Sequence, residues 1–520
     1  MRSPYSFFFG GFTMEAFFEK LASINDVING FVWVKIGLFL LIGSGVILTC
    51  CTKFFQVTRL GHWWKMTIGS LFNRDSDVTK KTDKKTISQF QALCTALAAT
   101  IGTGNIAGVS AAIVIGGPGA VFWMWIAAFF GMMTNFSENI LGIYFRRRNA
   151  DGEWSGGPMY YLKDGLGSYK NCKVIGSVLA TLFAIFAILA SFGIGNMGQV
   201  NKITLNLEAA FFENVSLGTV AGIPVINLLI GVALMILGAL IIIGGLQRIA
   251  AVAERIVPVM AVLYVVGALT VLIMNIQSVG AIFASIFRFA FGVKAVAGGA
   301  AGIAISQVIT QGCKRGVFSN EAGLGSSVMV HSSSNVKEPV RQGMWGIFEV
   351  FFDTFVVCTM TAVVVLSSGY IDLNTGLALE GVNDATLVSQ AFGKAFGPVG
   401  EIFVALAMLL FAFTTVLGWS QYGSKAVEYL FGMKGVKVYK VIFVLMIISG
   451  AIMTSSLAWD ISDTFNGLMM IPNLIGVVSL CPLVAKITKN YVNRKLKGSD
   501  EEAMLSYDPD IQAEVITSAE

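Results

Sequence analysis

Apolar segments long enough to cross a membrane follow one another along this chain, and short polar loops separate them. A helix needs about 20 predominantly apolar residues to span a bilayer. On this criterion the pattern predicts an all-α polytopic membrane protein with about eleven transmembrane helices. They are expected at residues 31–52, 91–115, 121–145, 176–196, 224–244, 256–275, 279–313, 343–367, 399–422, 441–457 and 466–485.

Two of the predicted helices contain residues that interrupt a helix. The segment 91–115 carries no charge, but the run Gly-Thr-Gly-Asn at 102–105 disfavours helix and offers polar groups. Hydrocarbon does not tolerate unpaired backbone groups, whereas a bound polar ligand satisfies them. We therefore expect a site for a small polar solute at this break. The glycine-rich stretch 292–302 predicts a second broken helix within 279–313.

The distribution of basic residues predicts the orientation. The loop 59–85 holds seven Lys and Arg residues, and further basic groups lie at 146–148, 314–315 and 486–497. Because basic loops stay on the cytoplasmic side, we expect the N-terminus outside and the C-terminus in the cytoplasm.

The odd number of spans predicts an internal repeat. Without the first helix, ten spans remain, and two sets of five must enter the membrane from opposite sides. Each set begins with a broken helix, as in the inverted repeats of many secondary transporters. The alternative is that the glycines only allow close helix packing. The predicted division is 1–30 (N-terminal segment), 31–56 (extra helix), 57–89 (cytoplasmic loop), 90–276 and 277–488 (the two repeats) and 489–520 (cytoplasmic tail). The polar, acidic composition after 498 predicts that the tail is disordered.

Composition excludes several classes of function. Hydrophobic residues make up 55% of the 520 positions and charged residues only 13%, which is far from the balance of a soluble domain. Two histidines and seven scattered cysteines give no transition-metal spacing and no disulfide framework. We find no nucleotide-binding loop and no nucleophile beside a base. The sequence therefore predicts neither an enzyme nor an ATP-driven pump.

Polar side chains at membrane depth indicate where the chemistry lies. Thr100, Thr103 and Asn105 cluster at the first break, where amides can receive a carboxylate and carbonyl oxygens can ligate a hard cation such as sodium. Glu138 lies deep in the segment 121–145, where a carboxylate needs a partner inside the bundle. Glu138 could brace the broken helix, titrate or ligate an ion, and a brace is the interpretation that we favour.

Further candidates lie on two other helices. Phe192 and Gln199 lie on the third helix of the first repeat, and Trp419 follows Thr414 and Thr415 in 399–422. Adjacent helical positions point about 100° apart, so the two threonines cannot both face inward.

One helical face and one loop complete the candidates. Glu349 and Asp353 are four residues apart and should share a face, either in a gate network with Arg341 or along a water-filled vestibule. Ser319 and Asn320, in the predicted loop after 314–315, are candidate helix caps.

Five runs of sequence resemble the alanine/glycine:cation symporter family. They are ATIGTGNIAGV at 99–109, GGPGAVFWMWI at 116–126, GGPMYY at 156–161, KRGVFSNEAGLG at 314–325 and TVLGWS at 415–420. The similarity extends over 31–489, nearly the whole chain. It implies a fold like that of the bacterial leucine transporter with an extra N-terminal helix, and sodium-coupled uptake of alanine or glycine.

The resemblance also implies roles for residues at the first break. The amides of Thr103 and Gly104 would bind the substrate carboxylate. Asn105 and the carbonyl of Thr100 would lie near a cation or the substrate amine, so Thr100 is also a candidate sodium ligand.

The resemblance implies a sodium site and the walls of a pocket. The carbonyls of Ala98 and Ile101, with Thr414 and Thr415, would form the sodium site shared by proteins of this fold. Gln199, Phe192 and Trp419 would line the substrate pocket, and the two aromatic rings would restrict it to small side chains. Phe291 and residues 298–302 would contribute its second half.

The predicted function is sodium-coupled symport of small neutral amino acids into the cell by alternating access. The alternative is a proton-coupled amino-acid symporter that uses Glu138. Both describe a multi-pass protein of the plasma (inner) membrane whose partners are an amino acid, a coupling ion and the lipid bilayer, without nucleic acid. A channel is disfavoured because charge is sparse and the spans are discontinuous.

Overall fold

The computed structural model describes residues 14–73, 76–81, 85–212, 215, 217–220, 223–291, 304–382, 386–453 and 457–517. These residues are overwhelmingly helical, as the sequence predicts. Two short antiparallel strand pairs are the exceptions: β1 (Arg147–Arg148) pairs with β2 (Trp154–Ser155), and β3 (Thr219–Val220) pairs with β4 (Ile223–Pro224). The fold class, an all-α polytopic membrane protein, is therefore confirmed.

The α-helices follow one another in chain order. Up to the first break they are α1 (Met14–Gly30), α2 (Leu38–Cys51), α3 (Phe55–Thr58), α4 (Leu60–Met66), α5 (Ile68–Leu71) and α6 (Gln89–Thr100). They continue as α7 (Val109–Gly116), α8 (Gly119–Tyr144), α9 (Pro158–Tyr160), α10 (Lys173–Phe192), α11 (Gly198–Phe211), α12 (Val225–Ile242) and α13 (Gly245–Met274). The remainder are α14 (Val279–Phe289), α15 (Ile305–Asn320), α16 (Val328–His331), α17 (Pro339–Val350), α18 (Thr359–Ser367), α19 (Leu387–Phe396), α20 (Pro398–Ile452), α21 (Leu457–Ser479), α22 (Cys481–Lys497) and α23 (Pro509–Thr517).

Turns wider or tighter than an α-helix connect several of these helices. The described chain has π-helical segments at Phe31–Gly37, Gly104–Gly108, Tyr161–Gly165, Gly193–Met197 and Phe351–Cys358, and 3₁₀ turns at Leu166–Ser168 and Ile276–Ser278. A π-helical turn holds an extra residue and is found frequently at functional sites.

Eight helices in the described part of the chain are long and apolar enough to span a membrane, or nine when the bent pair Gln89–Thr100 and Gly104–Gly116 is one span. The number eleven stays a prediction. One helix in this set must cross twice, because the 55 residues of α20 would be about 80 Å long if straight. Its direction reverses at Gly432 (φ 68°, ψ −174°). As a result Gly423 and Tyr439 are neighbours, and a Cβ at Gly423 would lie 1.9 Å from the Tyr439 hydroxyl.

The N-terminal helix α1 and the π-helical turn after it pack against α21. Asn29 in α1 donates hydrogen bonds to Asp463 and Thr464 of α21, both at 3.0 Å. The Trp33 indole donates to the Asp463 carbonyl at 3.2 Å. Asp463 also pairs with Lys314 of α15 at 2.6 Å. These contacts fasten three separate parts of the chain at one end of the bundle.

The second break in the described chain follows α15, at a position that the sequence does not predict. Helix α15 ends at Asn320, and the chain continues through turns before the short helix α16. The predicted break at 292–302 lies outside the described residues. The prediction of a loop at 314–320 is wrong, because these residues are helical. Ser319 and Asn320 therefore do not begin a helix but end one.

The position of α15 follows from its neighbours. A Cβ at Gly116, the last residue of α7, would lie 3.1 Å from Gln311, whereas Ile87 before α6 pairs with Ser334 after α16. The segment 305–334 thus runs antiparallel to 87–116. The two broken spans therefore lie side by side in opposite directions.

The C-terminal tail is ordered, so the prediction of disorder is wrong for 498–517. Tyr507 donates its backbone N–H to the Tyr144 carbonyl at 2.9 Å, and Glu514 pairs with Arg148 at 3.0 Å. Leu505 is buried beneath α23. An acidic, polar segment gains enough contacts here because it docks on a basic face of the bundle.

A buried arginine fastens this face. The Arg146 guanidinium donates to the carbonyls of Ser334 and Val336, both at 2.6 Å, and to that of Ser332 at 3.3 Å. It also lies 4.1 Å from the centre of the Trp154 ring. Arg146 thus satisfies the backbone where the second broken span leaves the bundle.

We expect Arg146→Gln to destabilise the fold strongly. Hydrogen bonds to a charged group contribute about 1.5–3 kcal/mol each, so a loss of at least about 3 kcal/mol is expected. Thermal unfolding of the detergent-solubilised protein measures this loss as a lower melting temperature. Arg147→Gln is the matched control, because Arg147 is half-exposed and its contacts are an ion pair with Asp164 at the surface and a distant approach to the Tyr160 ring. Equal melting temperatures for the two variants would contradict the assignment.

Candidate functional site

The first break joins two half-helices at an angle of 52°. The backbone at Ile101 is extended (φ −79°, ψ 91°), so α6 cannot continue. The Gly102 N–H donates to Asn105 Oδ1 at 2.9 Å, and the Thr103 N–H donates to Gln199 Oε1 at 3.3 Å. Side-chain oxygens thus take the place of the carbonyls that a continuous helix would offer these amides.

The second break is also held by side chains. Glu321, directly after α15, has a left-handed conformation (φ 56°), which is uncommon for a residue with a side chain. Asn320 Oδ1 accepts the Ala322 N–H at 3.0 Å, and Ser326 donates to the Glu321 carboxylate at 2.5 Å. The Glu321 carboxylate is therefore fixed inside the bundle at the point where the helix stops.

The two breaks face each other. A Cβ on Gly104 would lie 3.1 Å from the Phe318 ring and 3.2 Å from the Ser319 Cα. A side chain at this position would press on both residues, so glycine favours this close approach of the two chains. The broken middles of both spans therefore form one site.

The carboxylate of Asp353 lies between the breaks and is fully buried. It accepts hydrogen bonds from Asn105 Nδ2 at 2.6 Å, from Ser319 Oγ at 2.9 and 3.0 Å to its two oxygens, and from Thr354 Oγ1 at 2.9 Å. None of these donors carries a charge. A buried carboxylate with only neutral donors is costly, and a cation beside it offsets that cost.

Three π-helical turns supply polar groups around this site. Asn105 lies in Gly104–Gly108, Asp353 in Phe351–Cys358 and Asn196 in Gly193–Met197. Asn196 donates to the Phe443 carbonyl at 2.7 Å, and its own side-chain oxygen has no partner among the described residues. The wider turns thus place amide and carboxylate groups in the bundle interior.

A small cavity opens beside the first break. Its volume is about 10 Å³, which is about what one water molecule requires. An amino acid needs more room, so the walls must separate for a substrate to enter. The lining residues are Ala99, Thr100, Gly102, Gly104, Ile194, Gln199, Phe318, Glu321, Thr415, Trp419 and Asn466.

The structure brings most of the predicted sodium ligands to the first break. Ala98 and Thr100 lie in the last turn of α6, where the Thr100 hydroxyl bonds back to its own helix. Thr415 Oγ1 donates to the Phe411 carbonyl at 2.9 Å and lies 3.4 Å from the Ile101 carbonyl. Thr415 is thus the threonine that faces the break.

Thr414 points away from the break. Its hydroxyl bonds to the carbonyls of Leu410 and Phe411, both at 2.9 Å, and lies 3.6 Å from the Met260 sulfur. The two threonines therefore face different sides of α20, as adjacent helical positions must.

The three predicted pocket aromatics, Trp419, Phe192 and Phe291, do not lie together, and Trp419 alone among them lines the cavity. Trp419 lines the cavity and packs on Gly195, where a Cβ would lie 2.5 Å from the tryptophan. Phe192 instead packs on Tyr439 and Phe443, with ring centres 5.2 and 5.9 Å apart.

Phe291 lies on the surface of the bundle, remote from the breaks. Its side chain is 64% exposed, and its ring lies 5.8 Å from Phe122 and 6.2 Å from Trp123. The structure does not bring Phe291 to the cavity. Residues 298–302, predicted to lie with it, are outside the described residues.

Glu138 contacts the second break through one intermediary. Asn473 donates to the Glu138 carboxylate and, at 2.9 Å, to the Gly323 carbonyl. Tyr161 donates its hydroxyl to the oxygen of the same amide. This arrangement is that of a brace on the broken helix.

A second buried polar chain lies below the site. Gln342 donates to His331 Nδ1 at 2.6 Å, so His331 Nε2 can donate to Glu349 at 2.9 Å. Glu349 thus forms a hydrogen bond with His331 of α16, whereas Asp353 accepts hydrogen bonds from residues at the two breaks. Arg341 is not a partner of either carboxylate among the described hydrogen bonds, so these bonds do not form the predicted gate network; the shared face stays a prediction.

Sequence reasoning missed three groups at the centre of the site. The sequence places Ser319 and Glu321 in a loop, and Asp353 in a gate network or along a water-filled vestibule. The signal for Ser319 and Glu321 is the run Ser-Asn-Glu-Ala-Gly at 319–323, whose polar residues and glycine resemble the first break. In the described chain no group of three His, Cys, Asp or Glu side chains could hold a metal ion. The groups at the breaks that could bind a cation are carbonyl, amide and hydroxyl oxygens and single carboxylates.

A bundle with paired discontinuous helices around buried polar groups defines a secondary transporter. The chain belongs to the sodium:alanine symporter family, whose sequence pattern matches residues 18–505. The family consists of transporters and not enzymes.

Relatives and a solved structure agree with this assignment. The chain is 42% identical to the sodium/alanine symporter AgcS of Methanococcus maripaludis, over 90% of this chain and 97% of the relative. It is 36% identical to the probable sodium/glutamine symporter GlnT of Bacillus subtilis, over 93% of each chain. The crystal structure of MhsT in complex with L-phenylalanine superposes with a TM-score of 0.50 at 14% identity, over 78% of this chain and 99% of that one. At this identity the likeness shows the leucine-transporter-like fold alone.

Proposed function

We propose that this protein couples the inward movement of a small neutral amino acid, alanine or glycine, to sodium by alternating access. The observation that carries the proposal is the buried Asp353 carboxylate, which lies between two facing helix breaks and has only neutral hydrogen-bond donors. Relatives named as sodium/alanine and sodium/glutamine symporters support the choice of ion and of substrate class.

Sodium has two groups of oxygen ligands available. The first lies at the end of α6, where the carbonyls of Ala98, Thr100 and Ile101 and the hydroxyl of Thr415 are close to the break; Thr414 would have to turn to join them. The second consists of Asp353 with the hydroxyl of Ser319; Asn105 would have to turn its amide to join them with its oxygen, because its Nδ2 faces Asp353. Sodium is a hard cation, and such oxygens are the ligands that hard cations prefer.

The substrate has complementary groups at the same breaks. The amides of Thr103 and Gly104 begin the second half of the broken helix, where the helix dipole favours a carboxylate. The Glu321 carboxylate, which lines the same cavity, suits the substrate ammonium group. Gln199 and Trp419 form the wall around the side chain. Phe192 and Phe291 remain predicted pocket residues that could reach the substrate only after a rearrangement.

The proposed setting is the plasma (inner) membrane, with the N-terminus outside and the C-terminus in the cytoplasm. The positive-inside rule supports this orientation, because Arg146–Arg148 and the end of α22 lie at one face of the bundle. Cysteine labelling with a membrane-impermeant reagent at residue 437, after K437C, would test it in intact cells.

Uptake into proteoliposomes tests the function. Labelled alanine should accumulate when sodium is higher outside than inside, and should not accumulate when potassium replaces sodium. Uptake that follows an imposed proton gradient without sodium would overturn the coupling proposal. In that case Glu138→Gln would test the proton-coupled alternative. If Glu138 carries the proton, alanine uptake by this variant should no longer depend on pH.

We expect Trp419→Leu to relax the preference for small side chains. Each additional methylene in an apolar pocket changes binding by about 1–3 kcal/mol, so removal of the indole should improve competition by leucine at least about tenfold. Competition of leucine with labelled alanine uptake measures the change. Trp64→Leu is the control, because Trp64 is exposed away from the cavity. Equal selectivity in both variants would show that Trp419 does not restrict the size of the substrate side chain.

A further inference from the structure

A large cavity lies at the same end of the bundle as Arg146, far from the helix breaks. Its volume is about 820 Å³, within the range of small-molecule sites. Six parts of the chain enclose it: α4, the loop 76–81, the start of α6, the segment 335–341 that enters α17, the helix α22 and the C-terminal tail. Among the tail residues, Leu505 and Ile516 form one wall.

The cavity is strongly basic. Its lining includes two acidic side chains, Asp77 and Glu338, and each is already paired with a cation of the cavity. Glu338 binds Arg494 through two hydrogen bonds of 2.8 and 2.9 Å, and Asp77 binds Lys80 at 3.3 Å. The basic lining residues are Lys80, Lys81, Lys337, Arg341, Arg494 and Lys495.

Two hydrogen-bonding features point into this cavity besides the charge. Helix α17 begins at Pro339, and no side chain caps its N-terminus, because the Glu338 carboxylate is directed to Arg494. A helix N-terminus without a cap favours an anion. The Arg341 Nε is buried and has no hydrogen-bond partner among the described residues. An unpaired guanidinium N–H is costly to bury, and an anion would satisfy it.

The neutral lining groups complete the site. The Tyr491 hydroxyl and His62 Nε2 are 3.2 Å apart. Burial and the nearby Arg59 and Lys65 lower the pKa of His62, so it adds hydrogen-bonding capacity and not charge at neutral pH. The positive potential therefore comes from the lysines and arginines.

We propose that this cavity binds a phosphate-bearing anion, with Arg341 as the anchoring residue and Lys495 as a second ligand. Arginine presents a planar fork of donors that matches phosphate oxygens. The phosphate can come from a soluble molecule or from the headgroup of an anionic lipid. Arg341 lies at the start of α17, and this helix continues to Asp353 in the transport site. A bound anion would therefore hold the start of α17 in place.

Binding is measured separately from transport, so a negative result leaves the transport proposal intact. Purified protein is titrated with inorganic pyrophosphate at constant ionic strength, and its melting temperature is followed. In a second arm the protein is placed in nanodiscs of phosphatidylcholine with or without phosphatidylglycerol. The variants are Arg341→Gln and Lys495→Gln, and the control is Lys437→Gln, which removes an exposed cation outside the cavity.

A saturable rise in melting temperature with pyrophosphate is expected for the wild type and for Lys437→Gln. In Arg341→Gln the apparent affinity should fall at least about tenfold, which corresponds to the loss of one hydrogen bond to a charged group. A rise only with phosphatidylglycerol, weakened by Arg341→Gln, would identify the headgroup as the source. If Arg341→Gln does not fold, the apparent affinity of Lys495→Gln is measured instead, and the same fall is expected. A missing response in both arms, or an equal loss in Lys437→Gln, would overturn the proposal.

Discussion

Asp353→Asn should abolish sodium-driven uptake while the protein still folds. The substitution keeps the shape of the side chain but removes the negative charge that lies between the two breaks. It also turns one acceptor of the Asn105, Ser319 and Thr354 hydrogen bonds into a donor. Interactions of this kind with a charged group contribute about 3 kcal/mol, so we expect uptake at low sodium to fall at least about a hundredfold.

Sodium titrations of alanine uptake and of alanine binding measure this effect. Ser319→Ala is the graded comparison: it removes one ligand and keeps the charge, so the sodium concentration for half-maximal uptake should rise without loss of the maximal rate. Asp164→Asn, at the surface partner of Arg147, controls for loss of a carboxylate in general. Unchanged sodium dependence in Asp353→Asn would show that the carboxylate has a structural role only.

Gly102→Ala should abolish uptake through a single added methyl group at the first break. The added Cβ would lie 2.4 Å from Thr415 Oγ1 and 3.3 Å from Gln199 Oε1. Neither neighbour can retreat freely, because Thr415 bonds to Phe411 and Gln199 bonds to the Ile194 carbonyl. We expect uptake to fall below detection, since the first break and its amides must move.

Gly108→Ala provides the matched control on the same broken helix. A Cβ there would meet only the Thr103 carbonyl, at 4.0 Å. Alanine is about 1 kcal/mol better than glycine inside a helix, so this variant should fold at least as well as the wild type. Uptake by both variants is compared after their surface expression has been matched. Equal activity would mean that the first break does not approach Thr415 during transport.

The first break could be predicted from sequence because its signal is local. A Gly-Thr-Gly-Asn run inside an uncharged span has weak helix propensity and no alternative explanation of equal strength. The structure places Gly102 and Asn105 at a bend with side-chain hydrogen bonds, as such residues favour. Which residues bind substrate or sodium stays a prediction.

The break after α15 could not be predicted from sequence, because two general rules point elsewhere. Glycine content favours 292–302, and the positive-inside rule places Lys314 on the cytoplasmic side. That rule counts charges as if they were unpaired. In the folded chain Lys314 pairs with Asp463 beside Asn29, at the end where α7 finishes. Pairing with a residue 149 positions away cannot be read from the local sequence.

The partners of Glu349 and Asp353 could not be read from their spacing. A spacing of four residues predicts that two side chains share a helix face, but it does not say which distant residues meet that face. Both carboxylates are buried, and a π-helical turn begins between them at Phe351. Glu349 bonds to His331, and Asp353 bonds to Asn105 at the first break.

The π-helical turns also allow a particular movement within a helix, in steps of one residue. If a π-helical turn passes along its helix by one position, each residue that it passes rotates by about 100° while both ends of the helix stay in place. Such a register shift belongs to the microsecond-to-millisecond range of helix rearrangements. Phe351–Cys358 could therefore swing Asp353 toward or away from its ligands without a rigid-body displacement of the span, and the cycle would then advance in discrete, single-residue steps.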